Sequence, residues 1–213
     1  MRLRDLVFGL MDTCWQCGSS SGDSLFCKLC NALQRPTPDY YRFFGIPKRL
    51  SLDAKELQRR FYELSRILHP DRFLQRAPTE QRYSLEATSI LNDGYRVLRD
   101  PVLRAEYVLK EAGFEVAGQR SRDVPPELLE EVFELNMALE ELRAGDQEAR
   151  SQLEEARAKF IKLRDEMDRD LQALFEKYDA SGDRAVLGEI RNLLDRRKYI
   201  QNLVVEVDKE TGV

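Results

Sequence analysis

The stretch I-L-H-P-D-R-F, Ile67 to Phe73, carries the one histidine of the chain, His69, and lies between two segments of helical periodicity. Upstream, within Ser51 to Leu68, the residues Leu57, Phe61, Leu64 and Leu68 recur at steps of four, three and four, which places them on one side of an α-helix. Pro70 disfavours helical backbone at His69, so that helix stops there and His69-Pro70-Asp71 falls in an exposed loop. A second helix is expected from about Thr79 to Leu98, with Leu85, Thr88, Leu91, Tyr95 and Leu98 turned toward the first. The unit reads as helix, His-Pro-Asp bend, antiparallel helix. A short capped helix within Asp39 to Pro47 precedes it, stopped by Gly45 and Pro47.

The histidine is hard to read as chemistry. A metal site would want other histidines, and none exists; a general base would want a converging titratable cluster, and none is readable. On the helix side opposite the apolar stripe stand Lys55, Arg59 and Arg66, with Arg60 nearer the flank. Read from periodicity alone, such a face is ordinary solvation.

The totals restrict the partners. The 213 residues carry 34 Lys plus Arg against 38 Asp plus Glu, a net charge of -4 with a pI near 5.3. Bulk attraction to nucleic acid or to an anionic membrane is not expected, so binding must be local. No apolar run is long enough to span a bilayer. The opening M-R-L-R-D-L-V-F-G-L-M-D-T lacks a small-residue cleavage site and is not expected to be a secretory signal.

Cys14-Trp-Gln-Cys17 and Cys27-Lys-Leu-Cys30 form two knuckles at C-x2-C-x9-C-x2-C spacing. Four thiolates so spaced can surround one ion tetrahedrally, and zinc is the expected occupant. Four sulfur ligands leave no open position, so the site would be structural. Its binding would supply folding energy that so small a segment cannot gain by burial. Two disulfides and a redox C-x-x-C remain the alternatives.

The hairpin resembles a J-domain, the module by which co-chaperones act on DnaK-type heat-shock ATPases. That resemblance implies that His69, Pro70 and Asp71 stimulate ATP hydrolysis by the partner chaperone. It also implies that Lys55, Arg59, Arg60 and Arg66 dock on the partner's acidic surface. His69 is then neither a base nor a ligand.

Beyond the polar, proline-containing stretch Gly118 to Pro126, three helical patterns run from about Pro126 to Arg143, Gln147 to Asp179 and Gly182 to Val205. The breaks Ala144 to Asp146 and Asp179 to Asp183 are short, so the helices should form an antiparallel three-helix bundle. Leu128, Val132, Leu135, Leu139 and Leu142 make a full seam in the first. Leu129, Phe133 and Met137 then project about 100, 140 and 180 degrees away and should be at least partly exposed. Val186, Leu187, Ile190, Leu193 and Leu194 define the buried stripe of the third, with Tyr199 on its far side. The exposed apolar side chains would meet the J-like domain, a mate in a homodimer, or another partner.

A J-domain followed by a bundle, with N-D-G-Y-R-V-L-R-D-P-V-L-R-A-E-Y between them (Asn92 to Tyr107), resembles the HscB family of iron–sulfur cluster co-chaperones. The resemblance implies a patch at Leu128, Leu129, Phe133 and Tyr199, with Glu134 and Met137, that binds an IscU-type scaffold and delivers it to an HscA/DnaK-type ATPase. The seam, by contrast, assigns Leu128 to the core. Gly94 departs from the family's usual alanine at a helix-propensity cost of about 1 kcal/mol, and the cysteine module is absent from many bacterial members.

The expected fold is all-α: a tetracysteine zinc-knuckle module in residues 1–38, a J-domain in 39–117, a linker in 118–125 and a three-helix bundle in 126–213. The expected function is non-enzymatic, in a bacterial cytoplasm with the mitochondrial matrix as alternative. A general J-protein for unfolded clients, or a cysteine-centred metal or redox protein, are the competing readings.

Overall fold

The structure is a computed structural model, and it describes residues 13–22, 24–115 and 126–212. The first twelve residues and the expected linker 118–125 lie outside that range. Among the described residues there are seven α-helices and no named strand: α1 (Tyr40–Phe44), α2 (Ala54–Leu68), α3 (Pro78–Arg99), α4 (Pro101–Glu111), α5 (Leu129–Arg143), α6 (Ala149–Ser181) and α7 (Arg184–Thr211). The chain separates into two compact units, Met1–Arg104 and Ala105–Val213, with the division inside α4.

In the first unit the caps follow the sequence. The Asp39 carboxylate accepts from the Arg42 amide at the start of α1, and Asp53 accepts from the Lys55 and Glu56 amides at the start of α2, satisfying donors that a helix start leaves free. Leu57 and Leu68 are buried, whereas Phe61 and Leu64 are half-buried at the edge of the stripe. Phe61 stacks on Tyr95 with ring centroids 4.3 Å apart, joining α2 to α3.

Helix α3 corrects one expectation. Its buried line is Glu80, Ser84, Ala87, Leu91, Gly94 and Leu98, while Leu85 is 61% exposed and Thr88 and Tyr95 sit on the flanks. Leu91 and Leu98 are buried as the periodicity expects, but the small residues Ser84, Ala87 and Gly94 take the places between them that the stripe assigns to Leu85, Thr88 and Tyr95. Gly94 shows why. A Cβ placed there would lie 2.9 Å from Tyr40 Cδ1 and 3.0 Å from Phe44 Cε2, inside van der Waals contact. The glycine that costs helix propensity thus lets α1 approach.

The second unit is the three-helix bundle. One apolar cluster takes Leu128 from just before α5, Val132, Leu135 and Leu139 from α5, Leu153, Phe160 and Met167 from α6, and Ile200, Leu203, Val204 and Val207 from α7. Leu142 and Leu193 pack partly buried against it. The chain reverses between α6 and α7 at Gly182, whose φ of 65° suits glycine, and Asp183 then caps α7 by accepting from the Ala185 amide at 2.8 Å. Helix α7 runs to Thr211, past the expected end near Val205, because Leu203, Val204 and Val207 extend the buried stripe. Ion pairs Arg143–Glu210 at 2.6 Å and Lys177–Glu189 at 2.9 Å tie the helices at their solvent edges.

Two glycines inside helices make a paired test. Around Gly188, in α7, a Cβ would meet nothing within 4 Å. Gly188→Ala should therefore stabilise the protein by about 0.5–1 kcal/mol. Gly94→Ala should instead destabilise it by about 1–3 kcal/mol through overpacking. Urea unfolding followed by circular dichroism measures both; equal stabilisation would contradict the tight α1–α3 contact.

Candidate functional site: the His-Pro-Asp bend, the cysteine cluster and the exposed face of the bundle

Helix α2 ends at Leu68, and His69 takes an extended conformation (φ -57°, ψ 130°) ahead of Pro70, as the proline requires. Pro70 to Phe73 form one 3-10 turn. Three bonds fix this bend. The Ser84 hydroxyl donates to the Leu68 carbonyl at 2.6 Å in a buried position, satisfying an acceptor that the helix end leaves free. The Gln81 side-chain amide donates to the carbonyls of Leu74 and Arg76 at 3.2 and 2.9 Å. Phe73 is 5% exposed and anchors the turn in the core.

With the backbone held, the polar side chains stand outward: His69 is 54% and Asp71 79% exposed. The Asp71 amide donates to His69 Nδ1 at 3.3 Å, which puts the neutral ring's proton on Nε2. His69 Nδ1 lies 3.5 Å from Asp71 Oδ2, an exposed contact that adds little energy. Histidine and carboxylate together offer one donor and one acceptor at a rigid corner. Nothing around them forms a catalytic cluster among the described residues.

The cationic face of α2 is less uniform than its sequence. Arg59 binds Glu56 at 2.6 and 2.9 Å and also pairs with Glu63, and Arg60 lies 3.5 and 3.7 Å from the same two carboxylates. The hydrogen bond from Arg59 pulls the Glu56 carboxyl below its usual range, and Glu56 raises Arg59 in turn. Lys55 and Arg66 have no such partner among the described residues. Nor do Arg72 and Arg76, which sequence reading passed over although Arg72 directly follows the bend.

The four cysteines form no disulfide and come together: Cys14 and Cys30 Sγ are 3.5 Å apart, Cys17 and Cys27 3.7 Å, and all four lie within 4.8 Å of one another. Sulfurs arranged tetrahedrally at about 2.3 Å from a zinc ion are about 3.8 Å apart, so the donor set fits a metal. The two knuckles repeat one geometry. Gly18 N–H donates to the Cys14 carbonyl and Asn31 N–H to the Cys27 carbonyl, both at 2.9 Å, and both residues have positive φ, 71° and 57°. The Ser19 hydroxyl, then the amides of Cys30 and Leu29, lower the Cys27 thiol to about 6. At Cys14 burial raises the thiol, but the amides of Cys17 and Gln16 outweigh it and bring it down. Cys30 is pushed up to about 12: the Ala32 amide lowers it, but burial and the three neighbouring thiols prevail. Crowded thiols resist joint ionisation, and a cation among them removes that resistance.

The module is joined to the hairpin by Leu33. Its amide donates to Glu80 Oε1 at 3.1 Å and its carbonyl accepts from the Trp15 indole at 2.7 Å; Leu33 is fully buried and Glu80 5% exposed. Sequence gave no signal for this bond, since Glu80 reads as a first-turn helix acid.

On the bundle, Leu129, Phe133 and Met137 are 55, 65 and 47% exposed, as the seam geometry required. Leu128 is 4% exposed inside the cluster, so the seam position holds and it cannot lie on a surface patch. Tyr199 does not project to the far side: it is half-buried against the cluster, and burial, then the Glu206 charge, raises its hydroxyl. Glu134 and Met137 line a groove of about 510 Å³ between α5 and α6, with Glu131, Glu141, Glu155 and Lys159.

A helical hairpin with an outward His-Pro-Asp corner, followed by a three-helix bundle, is the architecture of a J-domain co-chaperone. The family model "HSCB C-terminal oligomerisation domain" matches residues 124–208. The mouse protein named "Iron-sulfur cluster co-chaperone protein HscB" is 30% identical over 196 residues, 89% of this chain and 79% of that one. "Co-chaperone protein HscB homolog" of the bacterium Azoarcus is 32% identical over 171 residues, 80% of this chain and 92% of its own length. The crystal structure of human co-chaperone protein HscB superposes with a TM-score of 0.72 at 28% identity, covering 93% of this chain and 98% of that one. The chain belongs to the HscB family of iron–sulfur cluster co-chaperones. No helix of the described residues is long and apolar enough to cross a membrane.

The one tryptophan of the chain, Trp15, reports on the cysteine module. Elemental analysis should find one divalent ion per chain, and its removal by chelator should shift Trp15 emission to the red as the indole loses Leu33. Emission unchanged after complete metal removal would mean that the ion does not hold the module.

Proposed function

We propose that the chain is a non-enzymatic co-chaperone that carries an IscU-type scaffold on its bundle to an HscA/DnaK-type ATPase and stimulates hydrolysis there. The observation that carries this reading is the bend itself: a buried Ser84–Leu68 bond and buried Phe73 beneath an exposed His69 and Asp71. A corner so fixed binds a partner without first losing conformational freedom. Asp71 can accept from a guanidinium or amides of the ATPase, and His69 can donate from Nε2. Pro70 holds them in register. Preferential binding to one state of the ATPase then shifts it toward hydrolysis, with no bond made or broken on this chain.

Lys55 and Arg66 supply the free positive charge for docking, while Arg59 and Arg60 hold the helix face in shape through Glu56 and Glu63. For the scaffold, Leu129, Phe133 and Met137 offer exposed apolar area of the kind that marks a partner site, with Glu134 beside them. Tyr199 contributes at most an edge, and Leu128 supports from below. A homodimer mate is the alternative occupant of that face. Zinc held by Cys14, Cys17, Cys27 and Cys30 is the proposed structural cofactor, within the proposed division into 1–38, 39–117, 118–125 and 126–213. The proposed compartment is the cytoplasm.

His69→Gln should abolish stimulation of a DnaK-type ATPase in steady-state assays without changing the fold; a rate equal to wild type would remove the J-domain reading. Phe133→Ala should weaken scaffold capture by about tenfold or more, or 1.4 kcal/mol. Leu128→Ala should instead destabilise the bundle by about 2–5 kcal/mol as a cavity mutation. Calorimetric titration with IscU and thermal unfolding separate the two effects, and undiminished capture by Phe133→Ala would mean that the patch lies elsewhere.

A further inference from the structure

The cysteine module does more than sit beside the J-domain: a groove of about 350 Å³ is lined jointly by Phe26 and Asn31 of the module and by Ile67, Arg72, Phe73 and Arg76 around the His-Pro-Asp bend. Glu80 is its one carboxylate, buried and accepting from the Leu33 amide, so one buried negative charge stands against two exposed guanidinium groups. Arg72 and Arg76 are both exposed and have no carboxylate partner among the described residues. Ile67 is 41% exposed. The groove is thus cationic, apolar-walled, and continuous with Asp71 through Arg72.

We propose that this groove is a second docking surface for the heat-shock ATPase, in which the metal module forms one wall and an extended segment of the ATPase, bearing carboxylates around an apolar side chain, is the occupant. The proposal rests on the co-chaperone reading above. Charge complementarity selects the occupant: two free guanidinium groups over an apolar floor take an acidic, apolar-centred segment, and they repel a second cationic face. Continuity selects the protein that supplies it, because a partner engaging His69 and Asp71 already lies against Arg72. The Leu33–Glu80 bond sets the groove's width. Since Leu33 is held by Trp15 on its other side, the module's knuckles fix the position of Phe26 and Asn31 relative to the bend.

The test measures the concentration of co-chaperone that half-maximally stimulates a DnaK-type ATPase. Arg76→Glu changes an exposed side chain, and Asn31→Asp adds charge on the module side without changing shape at a positive φ that Asp tolerates. Each should raise the half-maximal concentration about 5- to 20-fold at low salt, less at high salt, with the maximal rate within twofold of wild type. Phe26→Ala should act in the same direction with little salt dependence. Metal content and Trp15 emission verify that each variant keeps its module. Leu85→Ala, on the exposed side of α3, should leave the value unchanged. Unchanged values for Asn31→Asp and Phe26→Ala overturn the proposal even where Arg76→Glu has an effect, since the module would then contribute nothing; an equal effect of Leu85→Ala overturns it as well. Failure of the underlying reading is distinct: there, His69→Gln leaves stimulation intact.

Discussion

The end of helix α2 is the constraint on which the J-domain depends. Pro70 forbids the helix to continue, which leaves the Leu68 carbonyl without its helical partner in a buried place. An unpaired buried acceptor costs about 1–3 kcal/mol, and Ser84 from the facing helix removes that cost with a 2.6 Å bond. One hydroxyl therefore couples the stop signal of α2 to the register of α3. With that register set, Phe73 turns inward and His69 and Asp71 turn outward, so the exposed corner is a by-product of how two helices are pinned.

Close approach explains the rest of the hairpin. The face of α3 toward its neighbours is built from Ser84, Ala87 and Gly94 among the leucines, and the aromatic rings of Tyr40 and Phe44 fill the space that side chains would otherwise take. Leu85 is left outside. Charge is arranged with the same economy: Glu56 and Glu63 engage Arg59 and Arg60, leaving Lys55 and Arg66 of α2, and Arg72 and Arg76 after it, without a carboxylate partner among the described residues.

The cysteine module is joined to the hairpin by the backbone of Leu33. The Trp15 indole donates to the carbonyl of that residue, and Glu80 accepts from its amide. The bundle divides its labour by radius. Leu128 and Tyr199 turn into or against the core, and Leu129, Phe133 and Met137 turn out. The apolar residues that do not pack are the ones available to a partner.

Much of this was written in the sequence by itself: the helices, because apolar spacing and caps are local; the bend, because proline acts on its own neighbour; the four thiols, because knuckle spacing fixes their convergence; and the outward angle of Phe133, because helical rotation is fixed at about 100 degrees per residue. Tertiary structure alone decided the rest. The inward lean of Tyr199, the exclusion of Leu85, the value of Gly94 and the Leu33–Glu80 bond each depend on a second element arriving at a given distance. Periodicity names a face, but only packing determines what that face meets, and a pair such as Leu33 and Glu80 leaves no mark on the local pattern of either residue.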